Sequence, residues 1–137
     1  MADNIRLEVV TPEKIVVSEV AQIVMAPGSE GEFGVLDGHT PFLTTLKTGM
    51  IRYKDSAGAE RVVFVSGGFA EALPDKVTVL AESAERRRDI NIDRAKAAMA
   101  RAEDRIGKGV SDNEIDVVRA KAALLRAITR LSIVQIR

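Results

Sequence analysis

The sequence predicts an all-β N-terminal sandwich followed by a C-terminal antiparallel two-helix hairpin, α+β overall, and three observations carry that expectation. From Ile5 to about Glu82 the apolar residues recur at period two, as in Ile5, Leu7, Val9 and again in Val77, Val79, Ala81, which marks half-buried strands. Turn-forming residues interrupt this alternation at close spacing. After the charged run Glu85-Arg86-Arg87-Arg88-Asp89 the period becomes helical and stays so to about Val134.

The first strand carries Ile5, Leu7 and Val9. Further strands are expected at residues 14–17, 20–26, 34–36, 42–46, 50–54, 61–66 and 69–73 and around Val79, roughly eight to ten in all. Thr11-Pro12, Pro27-Gly28-Ser29, Asp37-Gly38, Thr48-Gly49, Asp55-Ser56-Ala57-Gly58, Gly67-Gly68 and Pro74-Asp75 separate them. Many short strands with regular turns read as an antiparallel sandwich or barrel. Without helical segments between them, a parallel α/β sheet is disfavoured.

The run 85–89 has no apolar residue and suits an exposed linker. The domain division is therefore 1–84 for the β-sandwich, 85–90 for the charged linker and 91–137 for the helical hairpin. The first helix, at about 91–106, has Ile92, Ala95, Met99, Ala102 and Ile106 at helical spacing. Gly107-Lys108-Gly109 stops it, since a glycine inside a helix costs about 1 kcal/mol relative to alanine. Ser111-Asp112-Asn113-Glu114 then has capping-box spacing and starts the second helix. Ile115, Val118, Ala122 and Leu125, with Leu124, Ile128 and Leu131 beside them, carry its apolar stripe to about Val134. The short glycine loop makes the helices antiparallel, and small alanines let them approach closely.

Composition narrows the function. At 137 residues the chain has room for one domain, or a small one with an appendage. Twenty basic and twenty acidic residues cancel, so no overall field draws it to nucleic acid or anionic lipid. With no cysteine and His39 as the single histidine, neither a disulfide scaffold nor a Cys/His zinc site can be assembled. No stretch approaches the roughly 20 apolar residues that cross a bilayer. The N-terminus lacks a signal or transit pattern, which favours a bacterial over an organellar origin. Neither a G-x-S-x-G elbow nor a Walker-type loop is present, and no acidic pair stands out, so the expectation is a protein that is not an enzyme.

Two features remain as candidate sites. Residues 31–42 are dense in glycine and hold the one histidine. They read either as a tight turn with Gly38 at positive φ, or as a contact loop in which Glu32 and His39 meet a partner. The hairpin carries Arg94, Arg101, Arg126 and Arg130. If the chain reverses near Gly109, Arg94 comes level with Arg126, so that three guanidinium groups converge at the base with Arg101 nearer the tip. A polyphosphate would turn their mutual repulsion into attraction. The alternative is a solvated face neutralised locally by Asp93, Glu103 and Asp104.

The segments Val10-Thr-Pro-Glu13, Met25-Ala-Pro-Gly28, Gly31-Glu-Phe-Gly-Val-Leu-Asp-Gly-His-Thr-Pro-Phe42, Val65-Ser-Gly-Gly-Phe69, Val77-Thr-Val-Leu80 and Arg126-Ala-Ile-Thr-Arg-Leu131, in this order, resemble the epsilon subunit family of the bacterial rotary ATP synthase. The resemblance implies a β-sandwich seated on the rotor against the gamma subunit and the c-subunit ring, with Glu32 and His39 on the face turned to the rotor. It implies a peripheral protein on the cytoplasmic face of the bacterial membrane. It also implies helices that either fold back or extend along gamma to the alpha and beta subunits of the catalytic head, where they inhibit ATP hydrolysis. An opened arm of about 45 residues would reach roughly 65 Å, with Gly107 to Gly109 as a hinge.

Some bacterial members bind ATP as a regulatory ligand through a motif of Ile or Leu, Asp, two variable residues, Arg and Ala. The corresponding positions are Ile90, Asn91, Arg94 and Ala95, with Arg101, Arg126 and Arg130 in support; no further cofactor is implied. Asn91 stands where the motif has Asp, which removes a carboxylate charge from that position. Two readings from other classes stand beside this one: a stand-alone ATP-binding sensor, and a structural adaptor that uses the helical seam.

Overall fold

The computed structural model describes residues 4–107 and 114–136. Three expectations fall outside those residues: the N-terminal leader reading at residues 1–3, the Lys108-Gly109 part of the hinge, and the Ser111 side of the capping box. The chain divides into two compact units, Met1–Arg87 and Arg88–Arg137.

The first unit holds β1 (Ile5–Val10), β2 (Ile15–Gly28), β3 (Gly31–Val35), β4 (Phe42–Thr45), β5 (Gly49–Asp55), β6 (Glu60–Ser66), β7 (Phe69–Leu73), β8 (Lys76–Leu80) and β9 (Ser83–Arg86). Hydrogen bonding runs in the order β4-β7-β8-β1-β2-β5-β6-β9, with β3 paired to β2. Among the described residues only β1 and β8 pair in parallel; the other pairs are antiparallel. Ile5, Leu7 and Val9 of β1, Val77 and Val79 of β8, Ile51 and Tyr53 of β5, and Val63 and Val65 of β6 belong to one core cluster. Strands from both ends of the path thus bury their inward side chains against each other, as two layers of a sandwich do. Each fully buried Val, Leu or Ile contributes about 1.5–3 kcal/mol of hydrophobic stabilisation.

Two segments of the sandwich differ from the expectation, and in the second helix Val118, Ala122, Leu125 and Ile128 of the expected stripe are exposed while Ala120, Ala127 and Ile133 are buried. Residues 14–17 and 20–26, read as separate strands, form the single strand β2 of 14 residues. No glycine or proline interrupts it before Pro27. A register shift between Ala21 and Ile23 bends it instead, so that its first half pairs with β1 and its second half with β5 and β3. The charged run read as an exposed linker carries β9 as far as Arg86, paired with β6 in the register Val65 to Ala84 and Val63 to Arg86. A single 3-10 turn, Arg87–Asp89, follows.

Gly68 shows why the turn before β7 needs glycine. Its φ is +97°, and a Cβ there would collide with the Leu80 carbonyl oxygen and lie 2.8 Å from the Ala81 Cα. That close approach sets the turn before β7 against the end of β8, and the Leu46 N–H donates to the Gly68 carbonyl at 2.9 Å.

The second unit holds α1 (Ile92–Gly107) and α2 (Glu114–Val134), packed on each other. Ala95 and Ala102 are buried on α1, and Ala120 and Ala127 on α2, each pair seven residues apart. Half-buried Met99 and Ile106 on α1, and Val117, Leu124 and Leu131 on α2, fill the rows between them. A seam of alanines at heptad spacing allows close helix approach with little side-chain entropy lost.

Candidate functional site

On the sandwich, β3 and the loop before β4 carry the expected contact residues. Alternation along β3 buries Val35 and half-buries Phe33, which leaves Glu32 on the exposed face. Gly38 has φ +83°, and the turn it makes is closed by the His39 N–H donating to the Leu36 carbonyl at 3.2 Å. His39 donates Nδ1–H to the Thr40 carbonyl at 2.8 Å and stands edge-on to Phe42, with ring centroids 5.8 Å apart. Phe42 stands edge-on to Phe33 at 5.0 Å. The aromatic chain Phe33-Phe42-His39 thus ties the loop to β3. Glu32 is exposed on one face of β3, while half-buried His39 belongs to the aromatic patch on the Phe33 side.

An apolar face beside this patch escaped the sequence reading. Leu43 on β4, Phe69 and Leu73 on β7, and Leu80 on β8 point outward and are 67%, 44%, 38% and 43% exposed. Phe69 lies directly opposite Leu80, and Leu43 opposite Glu71. The opposite positions of β7 are Ala70 and Ala72, buried in the core. The strand therefore presents its larger apolar residues to solvent and its smaller ones to the interior. That inversion is the signal available in the sequence. Beside Phe69 and Leu80 runs a groove lined by Val10, Pro12, Gly68 and Glu82. Exposed large apolar residues gathered on one sheet face in this way mark interaction sites.

In the hairpin, Ile90 is 7% exposed and Asn91 precedes α1. The Arg94 N–H donates to the Asn91 Oδ1 at 2.9 Å, and the Ala95 N–H to the Asn91 carbonyl at 3.0 Å, so Asn91 is the N-cap of α1. Asparagine and aspartate cap about equally well, so the Asn-for-Asp exchange at this position keeps the helix start. Arg94 and Arg101 are exposed; Arg126 and Arg130 are half-buried, and Arg130 is already engaged in an interaction. Arg94, Arg101 and Arg126 each directly precede a buried seam alanine. Arg119, passed over in the sequence reading, repeats the pattern before Ala120. One residue is a rotation of about 100° in a helix, so these arginines flank the seam in the same sense, and in an antiparallel pair that brings them to one side.

A third group links strands remote in sequence. The Tyr53 hydroxyl donates to the Glu19 carboxylate at 2.7 Å. The Arg86 guanidinium donates to the Val16 carbonyl at 2.9 Å, to Glu19 at 3.4 Å and to the Tyr53 oxygen at 3.5 Å. Burial first, and then the neighbouring Glu19, push the Tyr53 phenol up from 10.0 to about 12. Among the described residues no group of three His, Cys, Asp or Glu side chains gathers to hold a metal ion. Among the described residues no helix is long and apolar enough to cross a membrane.

Residues 4–87 match a family model described as the β-sandwich domain of the ATP synthase delta/epsilon chain, and residues 88–135 match the long α-helix domain of that chain. The ATP synthase epsilon chain of Desulforapulum autotrophicum is 68% identical over 137 residues, 100% of both chains. That of Syntrophobacter fumaroxidans is 50% identical over 135 residues, 98% of each. A chain in the cryo-EM structure of the Euglena gracilis mitochondrial ATP synthase, OSCP/F1/c-ring in rotational state 1, is similar in fold with a TM-score of 0.79 at 22% identity, covering 94% of this chain and 80% of that one.

Proposed function

This chain belongs to the delta/epsilon chain family of the ATP synthase, and from that premise we propose that it works as the non-catalytic central-stalk subunit that couples the catalytic head to the rotor ring and restrains ATP hydrolysis through its helices. The single observation that carries this reading is the division into a β unit and a separate helical unit, the first with an outward apolar face. A compact sandwich with exposed Leu43, Phe69, Leu73 and Leu80 is suited to burying that face against a partner. The partners are the gamma subunit and the c-subunit ring, with Glu32 and His39 at the contact. On this reading the chain works at the cytoplasmic face of the membrane, held there through its partners.

The helical unit is the regulatory arm. A hairpin held by an alanine seam, with few large apolar anchors, is drawn from the less stable part of a fold, as a moving element must be. Extended, it meets the alpha and beta subunits. Folded, it takes ATP at Ile90, Asn91, Arg94, Ala95, Arg101, Arg126 and Arg130, with the arginines gathered on one side supplying forked donors to the phosphates. ATP shifts the arm only by the difference in its affinity for the two arm positions. Low ATP therefore frees the arm to inhibit.

The test has two parts. The tagged chain is expected to co-purify with gamma and the c ring, and recovery without either refutes the coupling role. Calorimetric titration of ATP into the isolated chain is expected to give a saturable heat that Arg126→Ala weakens at least about tenfold, since a charge-assisted fork is removed. A parent that gives no heat refutes ATP sensing.

A further inference from the structure

The last strand of the sandwich is the one most in need of fastening. β9 has four residues, ends the strand order and pairs along one edge with β6. A strand so short and one-sided frays unless something else holds it. Arg86, its final residue, supplies that hold by reaching across to β2 and β5. Its Nε–H donates to the Val16 carbonyl at 2.9 Å, while its terminal nitrogens donate to Glu19 at 3.4 Å and to the Tyr53 hydroxyl at 3.5 Å. Tyr53 donates in turn to Glu19 at 2.7 Å, which closes the ring of contacts. One guanidinium thereby joins three strands, with a carboxylate to balance its charge. Tyr53 is 2% exposed, so the clip sits on a well-packed base.

A second fastening lies just beyond. Asn91 caps α1 through the Arg94 N–H, which makes the helix rigid from its first turn. Between Arg86 and Asn91 lie only residues 87–90, of which Arg87–Asp89 form a single 3-10 turn with no buried residue. Short 3-10 stretches between regular elements often mark hinges.

We propose that the Arg86 clip keeps β9 seated on the sandwich whatever the position of the helical arm, so that the arm turns about residues 87–90 and β9 takes no part in the motion. This rests on the reading of the helices as a movable arm, and the experiment separates the two. Amide hydrogen exchange is measured on the assembled enzyme at low and at saturating ATP, with the unaltered chain and with Arg86→Gln, Arg86→Lys and Tyr53→Phe. The unaltered chain is expected to show slow exchange at 84–86 in both conditions, while exchange in the helices differs between them. Arg86→Gln speeds exchange at 84–86 by about tenfold or more, because the fork is lost and Glu19 is left without its cation. Arg86→Lys restores little of the protection, since an ammonium cannot make the forked contacts. Tyr53→Phe keeps the ring packing and gives a smaller rise. If β9 exchange in the unaltered chain rises with release of the arm, β9 peels away and the fixed pivot is wrong. If Arg86→Gln leaves β9 unchanged, the clip is idle and the proposal falls. If the helices exchange alike in both conditions, the arm does not move, and the movable-arm reading falls together with the pivot.

Discussion

At the scale of single residues, Tyr53 ties stability to alkaline pH. Its phenol is buried beside the Glu19 carboxylate, so the folded chain holds a proton up to about pH 12 that the unfolded chain releases near 10.0. Stability from this group is therefore whole below 10.0 and is lost as the pH rises through that window. Urea midpoints taken at about pH 9 and about pH 11 should fall further for the parent than for Tyr53→Phe; parallel falls would exclude the tyrosine. Asp55 acts at the acid end. The Ala59 N–H at 2.9 Å, then the Arg61 guanidinium at 3.1 Å and the Ala57 N–H at 3.0 Å, hold its carboxyl below the ordinary 3.8. Its contribution is present above 3.8 and lost as the pH drops through the lowered value, so Asp55→Asn should flatten the acid limb of the same urea series. Asp55 was legible as a turn residue because its partners lie within six positions. The Tyr53, Glu19 and Arg86 contacts were not, because they span 34 and 67 positions and nothing local marks them.

At the scale of elements, hydrophobic period read well where a face is buried and poorly where it is not. β1, β5 and β8 follow the alternation of their sequences. β9 has no such alternation, since only Ala84 is buried; it is a strand because β6 offers an open edge and Arg86 finds acceptors on β2. β2 looked like two strands because Ser18 and Glu19 interrupt its apolar run, yet both lie opposite β1 in continuous register. Asn91 was read as a departure from a nucleotide motif, and its local role is capping. Asn91→Ala should lower the helical unit's stability by about 1 kcal/mol, Asn91→Ser should restore most of it, and thermal circular dichroism at 222 nm would read the difference. Loss of equal size in both variants would count against the cap. Gly68→Ala is expected to cost more than about 1 kcal/mol, because the left-handed backbone and the Leu80 carbonyl leave no place for a methyl group; an unshifted melting temperature would contradict it.

At the scale of the whole chain, the sequence already divides near residues 84–91, and the structure draws the division between Arg87 and Arg88. Composition made that change visible: strand alternation with frequent turns gives way to an alanine-rich, proline-free segment. The outward apolar face of β4, β7 and β8 was hidden because a period-two pattern does not say which side faces the core. In the function proposed above the two units do separate work, the sandwich holding the rotor and the helices restraining hydrolysis. The most direct measurement is the ATP hydrolysis rate, at low ATP, of enzyme reassembled with the full chain and with residues 1–88 alone. The shortened chain is expected still to assemble, and its enzyme to hydrolyse ATP faster. Equal rates from two fully assembled enzymes would contradict it.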